Sequence, residues 1–336
     1  MALLEDAVTV QIKTIDLEPK RQTFGHVARR LGGDKPASRY QEATFDLQPT
    51  DHFHYRPLWE PQFNIYDPRK TEVVMRDWYA LLDPRQYYYG AYNIARANMN
   101  QAVERNFVFV EERDLFAKAD DGLKAKLVAG LLPVRHLHWG ANMNMTEICQ
   151  RGYGTAVTAP SIFSAGDHLG MAQIVSRIGL VIDRHTGTSL DTAKAAWMNA
   201  PEWQGVRQLI EDTLVERDWF QLFVAQALGV NAVLLDLVYA RTEAAFGPVA
   251  IPVAMLTEFM ADWAAEEGKW SDHVIKVVAA ESAENAALVS AWARYWIDRA
   301  EAAGVALSGL LTGEGAAAVA AASAARARAA RLGLTL

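Results

Sequence analysis

Residues 83–97 read Asp-Pro-Arg-Gln-Tyr-Tyr-Tyr-Gly-Ala-Tyr-Asn-Ile-Ala-Arg-Ala. Aspartate followed by proline signals a helix start, because the carboxylate caps free backbone N–H groups and proline tolerates the first helical position. Tyr88, Tyr92, Ala95, Met99 and Val103 then recur at intervals of three and four. That spacing predicts one face of a long helix running to about Lys118. Beyond the turn at Asp120-Asp121-Gly122, a second helix is expected over Leu123–Gln150, bent by Pro133. A third is expected from Pro160 to Asp183. After a connection holding a short helix, a fourth should start at Pro201 and reach Phe246 with a kink near Gly229. Gly247-Pro248 and Pro252 mark a loop, followed by helices over Met255–Glu267 and Ser271–Ala302. The Ala-rich segment 315–331 favours helix but has little to bury and is expected to fray. No strand-like alternation follows residue 70. The reading is all-α, and four long helices with crossover connections suggest a ferritin-like bundle.

Toward the N-terminus the pattern changes. Residues 1–70 hold Pro19, Pro36, Pro49, Pro57, Pro61 and Pro68, half of the chain's 12 prolines. Proline blocks helix interiors and holds its predecessor extended. The segment is also rich in aromatics (Phe45, Phe53, Tyr55, Trp59, Phe63, Tyr66), which a disordered tail would lack. An extended N-terminal arm over 1–70 wrapping a partner is therefore expected. A helical domain over 71–302 and an Ala-rich tail over 303–336 complete the division.

Composition narrows the function classes. The 336 residues carry a net charge of -7, from 33 Lys and Arg against 40 Asp and Glu, with no basic stripe, which argues against nucleic acid. Mean hydropathy is -0.04. The longest apolar run, Ala227–Ala240, is interrupted by Asn231 and Asp236 and is shorter than the roughly 20 residues of a spanning helix. No membrane association is expected. Glu5 and Asp6 interrupt the apolar start, so no signal peptide is read and a cytoplasmic location is expected. The single cysteine, Cys149, can form neither an internal disulfide nor a thiolate cluster and reads as a core residue. The 10 Trp, 11 Tyr and 12 Phe suit either a large helical core or an interface.

A di-iron site in a helical bundle needs Glu-x-x-His units, which place carboxylate and imidazole on one helix face. The residues three before the eight histidines are Thr23, Pro49, Asp51, Pro133, Arg135, Ala165, Ile182 and Trp270. None is glutamate, so the motif is absent. His136 and His138, two apart on a helix, point about 200° from each other; one is expected buried and one exposed. His52 and His54 share a face only on extended chain and lack a third ligand. Glycine-rich nucleotide loops and a Gly-x-Ser-x-Gly elbow are also absent. Expected catalytic, cofactor-binding and metal residues in this chain are none.

Particular segments carry a family likeness: GDKPASRYQEAT (33–44), DHFHYRPLWEP (51–61), DPRQYYYGAYNIARA (83–97), RHLHWGANMN (135–144), LGMAQIVSRIGLVID (169–183), PEWQGVRQLIED (201–212), RDWFQLFVAQ (217–226) and AMLTEFMADW (254–263). In this order they resemble the small (beta) oxygenase subunit of bacterial multicomponent phenol hydroxylases, among the soluble di-iron monooxygenases. The resemblance covers roughly residues 20 to 300; the Ala-rich C-terminus falls outside it. It implies a ferritin-like bundle without the di-iron ligands. It also implies a dimer of three-subunit protomers, with the irons in a large alpha subunit and a small gamma subunit beside it. A regulatory protein and an NADH reductase carrying FAD and a 2Fe-2S cluster would complete the system, which oxidises phenol to catechol with O2. This chain would then be structural. Phe53, His54, Tyr55, Arg56 and Trp59 of the arm, with Arg85, Gln86, Tyr87, Tyr88 and Tyr89, are the expected partner contacts. The equivalent subunit of a toluene, benzene or alkene monooxygenase, a metalloenzyme with an unfamiliar ligand set, and a helical adaptor without an enzyme partner are the alternatives.

Overall fold

A computed structural model describes residues 23–33, 35–50 and 56–336. Among these residues all regular structure is helical. Two short helices, α1 (Gly25–Leu31) and α2 (Arg39–Glu42), precede the long ones. Then follow α3 (Tyr89–Glu112), α4 (Asp121–Gly130), α5 (Val134–Arg151), α6 (Thr155–Ile182), α7 (Thr188–Asn199) and α8 (Pro201–Thr213). Next come α9 (Trp219–Val224), a π-helical stretch (Ala225–Leu235) and α10 (Asp236–Ala240), forming one continuous rod. The chain ends in α11 (Ala250–Glu281), α12 (Ala283–Thr312) and α13 (Ala316–Arg331). Helix α5 packs along α6, and α11 packs on α3, α6 and α12. Helix α12 in turn lies against α8, α13 and the π-helical stretch.

The long helices fall where expected, but their ends shift and two of them divide. The first long helix begins at Tyr89, because Asp83 does not cap it. The Asp83 carboxylate takes both the backbone N–H and the guanidinium of Arg85, at 2.9 Å each. Gln86 adopts a left-handed φ of 54°, closing a turn in which its N–H donates to the Asp83 carbonyl. Pro133 separates α4 from α5 outright rather than bending one helix. The expected fourth helix breaks after Thr213 and restarts at Trp219, capped by Asp218, which accepts from the Phe220 and Gln221 N–H groups. Near Gly229 the chain accommodates the irregularity as the π-helical stretch. Pro252 lies in the first turn of α11, where the missing N–H costs nothing. Helix α11 then runs unbroken through Gly268, and the interruption falls at Ser282, whose hydroxyl caps α12 by accepting from Asn285 N–H.

The Ala-rich segment is docked along most of its length. Ala318, Ala321, Ala322, Ala325 and Ala329 are fully buried, and their small side chains let α13 approach closely. Arg326 bridges to Asp298 and Glu301, and Arg328 to Asp272, each at 2.6 Å. Close approach also governs the other side of α12. A side chain at Gly205 would place its first carbon 3.1 Å from the Ala303 Cα, and one at Gly229 would lie 3.1 Å from the Trp296 carbonyl oxygen.

The described part of the first 70 residues is moored to its own chain. Val27, Phe45, Tyr79 and Ala156 form a small apolar cluster. Arg30 pairs with Asp46 and Asp77 while lying over the Phe45 and Tyr79 rings. Farther along, Glu60 binds Arg151 and sits 3.7 Å from Lys70, all three buried. Helices 219–240 and 244–281 are long and apolar enough to cross a membrane by length and composition, contrary to the sequence expectation. The first is 78% buried within the protein, which its core position explains.

Substituting Gly205 by leucine should destabilise the chain by about 1–3 kcal/mol, because the rigid α12 backbone cannot yield. A denaturant midpoint unchanged from wild type would show that α8 and α12 are not in contact.

Candidate functional site

The polar centre of the bundle is assembled from five helices. From α5 comes His138, from α6 Asp167 and His168, from α3 Tyr92 and Arg96, from α10 Tyr239, and from α11 Trp263 and Glu266. His138 and His168 are wholly buried, with their Nδ1 atoms 3.1 Å apart. His138 Nε2 lies 2.8 Å from the Tyr239 hydroxyl. The His168 ring meets Trp263 edge to face at 4.8 Å, and the Trp263 indole N–H donates to Asp167 Oδ2 at 2.9 Å.

Asp167 then joins the cluster to α3. Arg96 donates to both its oxygens, at 2.7 and 2.8 Å, and the Tyr92 hydroxyl adds a third donor at 2.9 Å. The other end of the Arg96 guanidinium reaches Glu266 at 2.9 Å. Burial alone disfavours the Arg96 cation, but the hydrogen bonds and charges of Asp167 and Glu266 outweigh it and raise its pKa. Burial also opposes the Glu266 carboxylate, yet Arg96 and Tyr87 hold its pKa below the usual value. For the imidazoles nothing offsets desolvation. It lowers His138 to about 3 and His168 well below 6.5, so both are neutral.

These residues do not fit a di-iron centre. Both ring nitrogens of His138 are engaged, and the one nearby aspartate is saturated by Arg96, Tyr92 and Trp263. Glu267 is buried one residue from Glu266, but its partner is Ser271. Among the described residues no group of three or more His, Cys, Asp and Glu side chains is placed to hold a metal ion. Of the pair expected to divide into one buried and one exposed imidazole, His138 is buried, but His136 is half-buried rather than exposed, lying against Trp197 at 5.6 Å and lowered to about 4 by burial and by Arg135. Cys149 is partly buried, and burial raises its thiol pKa. The sequence signal for the Arg96–Asp167 pair was a charged residue on α3 seven positions before Val103 on the buried face; its partner 71 residues away carried none.

The expected partner contacts divide into three groups. Phe53, His54 and Tyr55, like His52, lie outside the described residues. Trp59 is 69% exposed and Tyr89 74% exposed, and Arg56 and Gln86 are also at the surface. Arg85 turns inward, its side chain 6% exposed, pairing with Asp83 and lying over the Tyr87 and Trp270 rings. Tyr87 is half-buried and bonds Glu266; burial, then Glu266, pushes its phenol up to about 12. Tyr88 is half-buried.

The fold is that of the helical hydroxylase subunits of the ferritin-like di-iron fold, to which its structural neighbours belong. The chain belongs to the family described as Methane/Phenol/Alkene Hydroxylase, matched over residues 59–282. It is 46% identical to the oxygenase component DmpL of phenol 2-monooxygenase from Pseudomonas sp. strain CF600, over 91% of this chain and 92% of that one. The beta subunit of the toluene-4-monooxygenase hydroxylase from Ectopseudomonas mendocina is 22% identical over 89% of each chain. Among solved structures, phenol hydroxylase from Pseudomonas sp. OX1 superposes with a TM-score of 0.90 at 40% identity, covering 97% of this chain and 99% of that one.

Two outcomes follow from the buried cluster. Replacing Arg96 by methionine strands Asp167 and should cost about 3–5 kcal/mol in denaturant unfolding; a cost below 1 kcal/mol would show the pair to be solvated. The imidazoles set a pH dependence. Their folded pKa values lie below the unfolded value of 6.5, so on acidification the unfolded state takes up protons that the folded state refuses. Stability should fall from pH 6.5 to 5, with a slope that approaches about 1.4 kcal/mol per pH unit for each buried imidazole at the acid end of that window. His138→Gln should show a shallower slope in that window, and an identical slope would mean that His138 is protonated or solvated in the fold.

Proposed function

We propose that this chain is a non-catalytic structural subunit of the hydroxylase component of a multicomponent phenol hydroxylase. The observation that carries the reading is the 46% identity to a phenol 2-monooxygenase oxygenase component over nearly the whole of both chains. Identity to a toluene-4-monooxygenase beta subunit is less than half of that, which favours the phenol enzymes over the toluene enzymes. The donor chemistry of the bundle centre supports the non-catalytic part. Among the described residues its Asp167 and Glu266 pair with Arg96, and its histidines bond each other and a tyrosine, so these groups offer no free carboxylate pair to a metal.

In this reading the irons belong to a large alpha subunit, and a small gamma subunit completes each protomer of a dimer. Reduction of O2 for phenol hydroxylation would draw on a regulatory protein and on an NADH reductase with FAD and a 2Fe-2S cluster. The assembly would work in the cytoplasm. This chain's contribution is a stiff helical surface. Leu58, Trp59, Val74, Tyr89 and Ile94 are exposed large apolar side chains at the end of the arm, on the stretch that follows it and at the start of α3. Apolar groups of this size on a water-facing surface favour burial against another subunit. Residues 1–70, with Phe53, His54 and Tyr55, would extend that contact as an arm.

Iron content and mass should be measured for this chain alone and after co-expression with a Glu-x-x-His alpha subunit. The expected result is no iron on the lone chain and a stable iron-loaded complex from the pair. Trp59→Asp combined with Tyr89→Asp should weaken that complex at least tenfold, about 1.4 kcal/mol. Stoichiometric iron on the lone chain, or no complex at micromolar concentration, would overturn the reading.

A further inference from the structure

Helices α5 and α6 run antiparallel, with His138 against His168 and the Asn142 amide donating to the Ala165 carbonyl at 2.7 Å. Their outward side carries a shallow groove of about 480 Å3 between Trp139 on α5 and Ala172, Gln173 and Leu180 on α6. Trp139 is 55% exposed. Farther along the same two helices Met143, Ile162 and Leu169 are exposed as well. An indole flanked by large apolar side chains on a water-facing surface favours burial against another protein.

The groove also holds a cation without a counter-charge. Arg135 lines it and is half-buried. Its Nε–H donates to His136 Nε2 at 3.3 Å, and Nη2 donates to the Leu190 carbonyl at 2.7 Å. Among the described residues Nη1 has no acceptor and no carboxylate pairs with the guanidinium. Asp191 acts on it only through its charge, which burial outweighs, so the pKa of Arg135 is lowered. Positive charge is felt nearby too: burial first, then Arg135 and Lys194, keep His136 neutral. Arg177, the other arginine lining the groove, is by contrast neutralised by Glu104 and Glu111 on α3.

These features select the occupant. A half-buried guanidinium has lost part of its water and gains most from a carboxylate, whose two oxygens match its planar donors. A small free anion would leave the Trp139 indole uncovered. A second copy of this chain meeting the same face would bring Arg135 and Lys194 toward their own counterparts, like charge against like. We propose that the α5–α6 groove docks a segment of the partner hydroxylase subunit, which lays an apolar side chain on Trp139 and delivers an Asp or Glu carboxylate to Arg135 Nη1. The proposal rests on the structural-subunit reading and adds to it a second contact face, apart from the arm and the start of α3, with an anchoring charge pair.

The test uses the full chain assembled with the Glu-x-x-His alpha subunit. Arg135→Gln and Trp139→Ser should each weaken the complex by about tenfold or more. Added salt should weaken the wild-type complex more than the Arg135→Gln complex, since the pair it screens is missing there. Arg135→Lys puts a primary amine at the same point. Treated with a water-soluble carbodiimide, that complex should yield an amide between residue 135 and an Asp or Glu of the alpha subunit, mapped by mass spectrometry. Thermal unfolding of each lone variant should match wild type, because both side chains reach solvent, so a weakened complex is not a lost fold. Undiminished affinity in both Arg135→Gln and Trp139→Ser, no cross-link from residue 135, or a cross-link only to a second copy of this chain would overturn the docking groove and leave the structural role standing. Failure of the wild-type chain to form any complex would overturn both.

Discussion

Arg96 enters the bundle on α3 with almost no access to water, and the surrounding helices are arranged around its charge. A buried guanidinium is costly unless it is paired and its donors are filled. Asp167 on α6 supplies a bidentate partner, and Glu266 on α11 takes the remaining donor. One cation thus ties three long helices together at a defined height. The constraint propagates further. Asp167 also accepts from Trp263, Trp263 packs on His168, and His168 meets His138, which bonds Tyr239. An apolar core would bury area without choosing a helix register, whereas each of these bonds fails if its helix slides by one turn.

The same network gives the inward-facing polar groups of the bundle partners among themselves. Carboxylates and imidazoles facing inward from several helices would repel or go unsatisfied unless something neutralised them. Here arginine supplies the positive charge, and neutral histidines supply both donor and acceptor. The carboxylate–arginine pair and the imidazole–phenol chain fill the centre with groups that bond one another, His168 Nε2 alone among the imidazole nitrogens lacking a partner. Much of the remaining volume is taken by tryptophans, of which Trp203, Trp219, Trp263 and Trp270 are fully buried.

The helical class and the places of the long helices were legible because the three-and-four periodicity of the apolar residues is strong and strand-like alternation is missing, but their number was not, since the expected second and fourth helices each divide. Helix ends were less so, for reasons visible at particular residues. Asp83-Pro84 has the form of a cap, but Arg85 captures the carboxylate and the helix waits until Tyr89. Gly268 reads as a break in isolation, yet α11 continues through it because the flanking Trp263, Trp270 and Val274 bury one continuous face. The alanines of α13 look uncommitted in sequence, since their value lies in what they allow: close contact with α12 and with the π-helical stretch. The absence of Glu-x-x-His could be read directly, because that motif is local. The cluster that occupies the centre could not be, because Arg96, Asp167, Tyr239 and Glu266 become neighbours only through folding.

Interior and surface place different demands on this chain. Inside, nearly every charge has its counter-charge within the same subunit, so the bundle can hold its shape without drawing on a partner's groups. Outside, Leu58, Trp59, Val74, Tyr89 and Ile94 expose apolar area that water does not reward. Tyr89 is the first residue of α3, and Arg96 lies two turns farther along the same helix. The helix that presents part of the proposed contact surface is therefore the one locked by the Arg96 pair. A subunit built this way offers a partner a rigid face, and association then forfeits little conformational entropy on its side of the interface.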